Sequence, residues 1–248
     1  MKLRNYLLTG AAAASLAVVT SSSAANAAEA YASIFGGVNF LQNPNMSGSS
    51  HTSYYSYLTF VSTQSVDASF KTGYVVGGNF GVDWQNGFRT EIELALRGNS
   101  SKKSATLNTF YGYLYYGSGP YTITSTTNAK VPASIDMRAY SLMANAWYDF
   151  DTGMGFTPYV GGGVGMALVQ ISGGLNGFHL HEKNDTVFAW QLGAGVSMPI
   201  TDTMKAFIDY RYFAADSAKL KIEPGFNGGD INADFDSSSV MVGLRFSL

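Results

Sequence analysis

The chain has no cysteine among its 248 residues, which excludes a disulfide framework, a thiolate metal site and a lipid anchor on an N-terminal cysteine. It is also poor in charge. Only 13% of its residues are Asp, Glu, Lys or Arg, about half the usual globular share. Beyond its first 20 residues it has no apolar run near the roughly 20 residues that a membrane-spanning helix needs. What it has instead is 28 glycines, 16 tyrosines and 16 phenylalanines. Few charges with many glycines and aromatics suit an all-β chain whose exterior is not water.

The N-terminus reads as a leader. Lys2 and Arg4 precede a charge-free apolar stretch from Leu7 to Thr20, and Ala25-Asn26-Ala27 is a small-x-small cleavage signature. The apolar stretch is too short and alanine-rich to span a bilayer. Cleavage is expected after Ala27, making 1–27 a signal peptide and 28–248 a single barrel domain. Without Lys2 and Arg4 the mature chain has 13 basic against 17 acidic side chains, a net charge of −4 that does not suit a nucleic-acid partner.

Period-2 patterning predicts eight strands. The last is the plainest: Val240, Val242, Leu244, Phe246 and Leu248 share one face while Arg245 points the other way. The same alternation recurs at 32–40, 74–84, 88–96, 140–150, 160–168, 188–198 and 204–212. The apolar face of these strands carries no charge, as a lipid-facing wall requires, since a Lys or Arg at the bilayer midplane costs about 2–4 kcal/mol. The charges fall in the opposite phase: Asp83, Arg89, Glu91, Glu93, Arg97, Asp149, Lys205, Asp209, Arg211 and Arg245, joined by Asn39, Asn79, Asn145 and Gln191. Soluble sheets are oily inside and polar outside; here the order is inverted.

The five basic and five acidic inward residues balance, as buried charges must. An eight-stranded cylinder is narrow enough for side chains to fill, so a plugged interior is expected. Arg89, Glu91 and Arg245 should cluster near one end, with Glu93 meeting Arg211 deeper inside. Connections at 85–87, 151–155 and 201–203 are short; those at 41–69, 98–133, 169–186 and 214–238 are long. This predicts short periplasmic turns, long extracellular loops and two aromatic girdles, with all six prolines in loops or at strand edges.

FRTEIELALR (88–97), SLMANAWYDF (141–150), TPYVGGGVG (157–165), WQLGAG (190–195), IDYRY (208–212) and the closing VGLRFSL resemble the small outer-membrane β-barrel family of OmpA-like and opacity-type proteins, including porin-family surface antigens. The resemblance covers nearly the whole mature chain. It implies an eight-stranded antiparallel up-and-down transmembrane barrel in a Gram-negative-type outer membrane. Its loops would be structural, adhesive or antigenic, and the family shares no catalytic residues. Implied partners are outer-membrane lipid and lipopolysaccharide, the barrel-assembly machinery and a host or surface ligand. Leu248 stands where the family usually ends on an aromatic, so Phe246 and Leu248 are the expected assembly signal; a peptidoglycan-anchoring domain is not expected.

The run Gly161-Gly162-Gly163-Val164-Gly165 lacks the Lys-Ser/Thr and helix of a phosphate loop, and reads as space for large neighbours such as Trp147 or Tyr159. His179, His181, Glu182 and Asp185 offer ligands without a held third partner, so no metal site and no cofactor are expected. With His51 these are the only histidines, and none lies in a predicted strand. A barrel hydrolase acting on lipid A or peptides is therefore disfavoured. Tyr54, Tyr55 and Tyr57 are echoed by Tyr111 and Tyr113, either as strand extensions packing above the membrane or as a tyrosine-rich contact surface. Two further spanning strands, making ten, are disfavoured because too few inward charges would balance. The alternatives to a surface protein are a small pore for ions or solutes and a soluble β-sandwich.

Overall fold

The structure is a computed structural model that describes residues 28–42, 45–55, 58–115, 121–175, 178–221 and 230–248. Alternating sequence becomes antiparallel strand throughout: β1 (Glu29–Leu41), β2 (Asn45–Tyr55), β3 (Leu58–Phe70), β4 (Gly73–Asp83), β5 (Phe88–Tyr115), β6 (Tyr121–Asp149), β7 (Thr157–Leu175), β8 (Phe178–Thr201), β9 (Met204–Lys221) and β10 (Asp230–Ser247). The expected leader, 1–27, lies outside the described residues.

The membrane ring runs β1, β4, β5, β6, β7, β8, β9, β10 and back to β1. The additional hairpin does not widen it. β3 pairs with the outer half of β5, from Leu58 opposite Tyr115 to Phe70 opposite Ser101, and β2 meets β10 at Gly48 opposite Ile231. Above the membrane β2 and β3 therefore take the places of β1 and β4, so eight strands close the ring at both levels. The four long connections are largely strand, forming a β-crown continuous with the barrel.

The register fixes the barrel's proportions. Paired residues lead from Lys205 through Arg245, Ser33, Asn79, Glu93, Met143, Gly165 and Ala189 to Ala215, ten residues further along β9. Crossing eight strands, about 38 Å, shifts position by about 33 Å along the strand, which tilts the strands by about 40° from the barrel axis.

The outward face is the oily one. Ile34, Leu94, Val164, Leu192 and Val242 are each more than half exposed. Phe88, Tyr148 and Phe150 stack edge to face at the short-turn rim, and Trp190 lies 5.4 Å from Tyr212 toward the other. These are the girdles that anchor a barrel at the two interfaces. At the first turn Trp84 donates its backbone N–H to the Phe88 carbonyl at 2.9 Å; Gln85 and Gly87, not Asn86, take positive φ, so the connection is longer than a two-residue Asn-Gly hairpin.

Pro132 lies well inside β6, not in a loop or at a strand edge. Direct pairing of β5 with β6 lapses between Ser100–Asp136 and Ser104–Pro132, where the Ser101 hydroxyl accepts the Ile135 backbone N–H at 2.9 Å. A side chain thus substitutes for the ladder beside the missing proline donor.

Candidate functional site in the barrel interior and crown

The inward phase of the strands carries the polar groups, and the register stacks them into layers. Nearest the short turns, Arg89 meets Asp149 through Nε at 2.8–2.9 Å and Nη2 at 2.8 Å. Arg89 Nη1 also donates to the Tyr31 hydroxyl, which in turn donates to Glu91 at 2.9 Å. Glu91 accepts further bonds from Trp147 Nε1 at 2.9 Å and Asn145 Nδ2 at 3.0 Å. Arg245 reaches no carboxylate within salt-bridge distance among the described residues. Its guanidinium lies 5.1 Å from the Tyr31 ring, with the rings of Phe207 and Tyr159 a little further away. Arg245 and Glu91 are thus joined through one tyrosine, charge to ring and hydroxyl to charge.

The next layer centres on Glu93, which pairs with Arg211; Arg211 also binds Asp209 at 3.0 Å, and Asp209 accepts from Tyr159 at 3.2 Å. Gln191 bridges Asn145 and Arg97, whose guanidinium lies over the Phe213 ring at 4.1 Å and donates to the Ser141 hydroxyl. Arg211 similarly rests on Trp147 and Phe35. Aromatic faces supply what carboxylates do not: guanidinium planes stack on rings, and a desolvated contact of this kind is worth about 2 kcal/mol.

Glycines make the room. A Cβ on Gly161 would fall 2.6 Å from Trp147, and one on Gly163 would fall 1.9 Å from Asn145 Oδ1. The glycine run of β7 is the floor on which the β6 side chains lie, as its sequence context suggested.

Above the charges the interior turns apolar. Val131, Ile135, Met137, Val169, Ile171, Phe213 and Phe235 form one buried cluster in the outer half of the barrel. The sequence reading, tuned to inward charges, did not anticipate this layer. Its signal is an inward phase that stays apolar beyond Arg97 and Arg211.

A third set was also missed. Asn99 donates through Nδ2 to the carbonyls of Asn39 and Lys71 at 3.0 Å each, while Asn39 donates to Asn99 Oδ1 at 2.6 Å and accepts from Ser239 at 2.7 Å. Lys71 sits between β3 and β4 and Asn39 near the end of β1. One amide therefore clasps the two places where the membrane strands hand over to the crown.

Two residues of the inward phase, opposite Arg89 and Arg245 in the ladders, lie at the short-turn rim and not deep in the interior. Asp83 and Lys205 are half-buried, and Asp83 Oδ1 accepts the Gln85 backbone N–H. Phe246 is partly exposed beside this rim, and the Leu248 backbone N–H donates to Ala30. Tyr57 lies outside the described residues. Tyr54 and Tyr55 on β2 and Tyr111 and Tyr113 on β5 are placed by backbone alone, as are His51, His179 and His181; their side chains lie outside the described residues. Tyr111 faces Ser62 and Tyr113 faces Phe60 in the β3–β5 ladder, so the aromatic segments are crown strands.

The sequence matches the outer membrane protein beta-barrel domain family over residues 11–246. Outer membrane protein PagN of Salmonella typhimurium is 27% identical over 191 residues, 72% of each chain. A Rickettsia massiliae protein named “Putative adhesin” is 29% identical over 148 residues, 58% of this chain and 66% of its own length. Among solved structures, OprG from Pseudomonas aeruginosa covers 89% of this chain and 96% of its own at 14% identity, with a TM-score of 0.47.

Proposed function

Because the chain belongs to the outer membrane protein beta-barrel domain family, we propose that this outer-membrane surface protein acts outward, through its β-crown, as an adhesive or antigenic protein whose barrel is a mount and not a conduit. The observation that carries this reading is the filled interior: Glu93, Arg97, Trp147, Met143 and Phe213, drawn from three strands of the ring, are all essentially without solvent contact. A lumen occupied by paired charges and capped by an apolar cluster offers no wide aqueous path. The crown is what remains to meet other molecules. The name of the Rickettsia relative is consistent with that role for this chain.

On this reading the protein is not an enzyme. Glu91, Glu93 and Asp209, the buried carboxylates among the described residues, each accept bonds from neighbouring side chains and hold the barrel together. Residues 1–27 are removed on export, and the barrel-assembly machinery inserts 28–248 with outer-membrane lipid as its solvent. The partner of the crown is a host or neighbouring-cell surface, met by the tyrosines of β2 and β5 together with Tyr57.

The test is binding of purified, refolded protein to host cells and extracellular matrix, alongside a barrel whose β2–β3 hairpin is shortened. The reading expects binding by the intact protein and its loss on shortening, with both proteins folded. Equal binding by the two would remove the hairpin from the function.

A further inference from the structure

Five Lys and Arg side chains among the described residues are exposed: Lys71, Lys102, Lys103, Lys130 and Arg138. All five stand on one side of the barrel, on β5, β6 and the β3–β4 junction. Lys71 donates its backbone N–H to Ser100, which faces Asp136, and Arg138 faces Gly98 one pleat below. None of the five pairs with a carboxylate among the described residues. Asp136 and Asp67 lie in the same region, but Asp136 accepts from the Ser100 hydroxyl and Asp67 from Asn108. The patch keeps a net positive charge in a chain whose overall charge is negative.

Its height is informative. Arg138 lies ten residues along β6 from Tyr148 of the lower girdle. At the barrel's tilt that is about 25 Å along the axis, the height of the apolar band of an outer-membrane barrel. Arg138 therefore sits at the outer edge of the hydrocarbon and Lys102 and Lys103 about 10–13 Å above it, whereas Lys130, eight residues further along β6, stands about 20 Å above it. Directly below them the wall is indented: a groove of about 520 Å³ runs between Val76, Leu94, Leu142, Met166 and Leu168, with Tyr140 at its upper lip. A second groove of about 580 Å³ on the opposite wall, between Ile34, Met198, Ala206 and Val242, lies near the short turns and has none of these five cations beside it.

We propose that the β4–β8 wall is a docking site for one acylated, phosphate-bearing lipid of the outer leaflet, of the lipid A type, with an acyl chain in the groove and its phosphates held by Arg138, Lys102 and Lys103. Charge complementarity selects this occupant, because a zwitterionic or neutral lipid would leave the cations unanswered. The inference rests on the membrane placement of the barrel and on outer-leaflet lipid as its partner, not on adhesion by the crown.

The test uses full-length protein refolded in neutral detergent and titrated with diphosphoryl lipid A, monophosphoryl lipid A and a phosphate-free acylated disaccharide, read by native mass spectrometry. Affinity should fall in that order. The combined variant Lys102→Gln, Lys103→Gln and Arg138→Gln should bind diphosphoryl lipid A at least tenfold more weakly while keeping the gel mobility of a folded barrel. Leu142→Trp, which fills the groove, should also weaken binding, whereas Val242→Trp on the opposite groove should not. Equal lipid A binding by wild type and the charge variant, or no preference for phosphate, would overturn the proposal. So would binding of a sulfated polysaccharide that depends on the three cations while lipid A binding does not, since the patch would then face an extracellular polyanion. Cell binding measured on the same preparations scores the adhesion reading separately.

Discussion

The Tyr31 hydroxyl donates to Glu91 Oε2 at 2.9 Å, and the same residue turns its ring toward the Arg245 guanidinium. Tyr31 thus serves a buried anion and a buried cation at once. The residue comes from β1, the carboxylate from β5 and the guanidinium from β10, so this triad joins strands on both sides of the seam where the first and last strands close the ring.

Tyr31→Phe should keep the ring over Arg245 and remove only the hydroxyl. Glu91 then loses one of three neutral donors, a loss of about 1–3 kcal/mol for a buried charged acceptor. Urea unfolding in lipid vesicles should show that decrease, and Tyr31→Leu, which also removes the cation–π face, should show a larger one.

Removing one member of the deeper pair is expected to be worse. Glu93→Gln leaves Arg211 with Asp209 alone and strips Asn145 and Gln191 of a charged acceptor. Breaking a buried pair costs about 3–5 kcal/mol, whereas replacing both members by apolar groups is often neutral. Glu93→Gln should therefore be less stable in the same assay than the double variant Glu93→Leu with Arg211→Met.

Gly163→Ala tests the floor of the interior. Its new methyl would clash with both Asn145 Oδ1, 1.9 Å away, and the Ala144 carbonyl, 2.5 Å away, the latter being backbone that cannot rotate away. Overpacking of this kind costs about 1–3 kcal/mol. Gly153→Ala, in the open turn where a methyl meets nothing within 4 Å, should assemble better than Gly163→Ala despite its positive φ. Heat-modifiable gel mobility after refolding would rank the two.

Asn99→Ala should loosen the crown without opening the barrel. The carbonyls of Lys71 and Asn39 lose their shared donor, so amide exchange should quicken around 39–42 and 69–73, while strands β7 to β9 at membrane level stay protected. Uniform acceleration would mean that Asn99 supports the whole ring.

How much of this was legible in the sequence follows from which forces are local. Lipid demands an oily outer phase at every strand, so Ile34, Leu94, Val164 and Val242 announce themselves by alternation, and the eight-membered ring follows from the count of such faces. The pairing of Arg89 with Asp149 depends on register between strands 60 residues apart, which alternation constrains only to a face. Asn99 was overlooked because an asparagine beyond the last inward arginine carries no period of its own; its meaning comes from the two strand breaks that it spans. The extent of the strands was underestimated for a related reason. Above the membrane the outer face meets water, so the apolar alternation fades while the backbone pairing continues.

Planar-bilayer recording tests most directly whether the barrel is a filled mount. Purified wild-type protein should insert without conductance steps, because Arg97, Glu93 and Arg211 bridge the lumen beneath the cluster around Phe213 and Phe235. Reproducible, ion-selective steps from the folded wild-type barrel would contradict it, and would make the interior charges the lining of a pore.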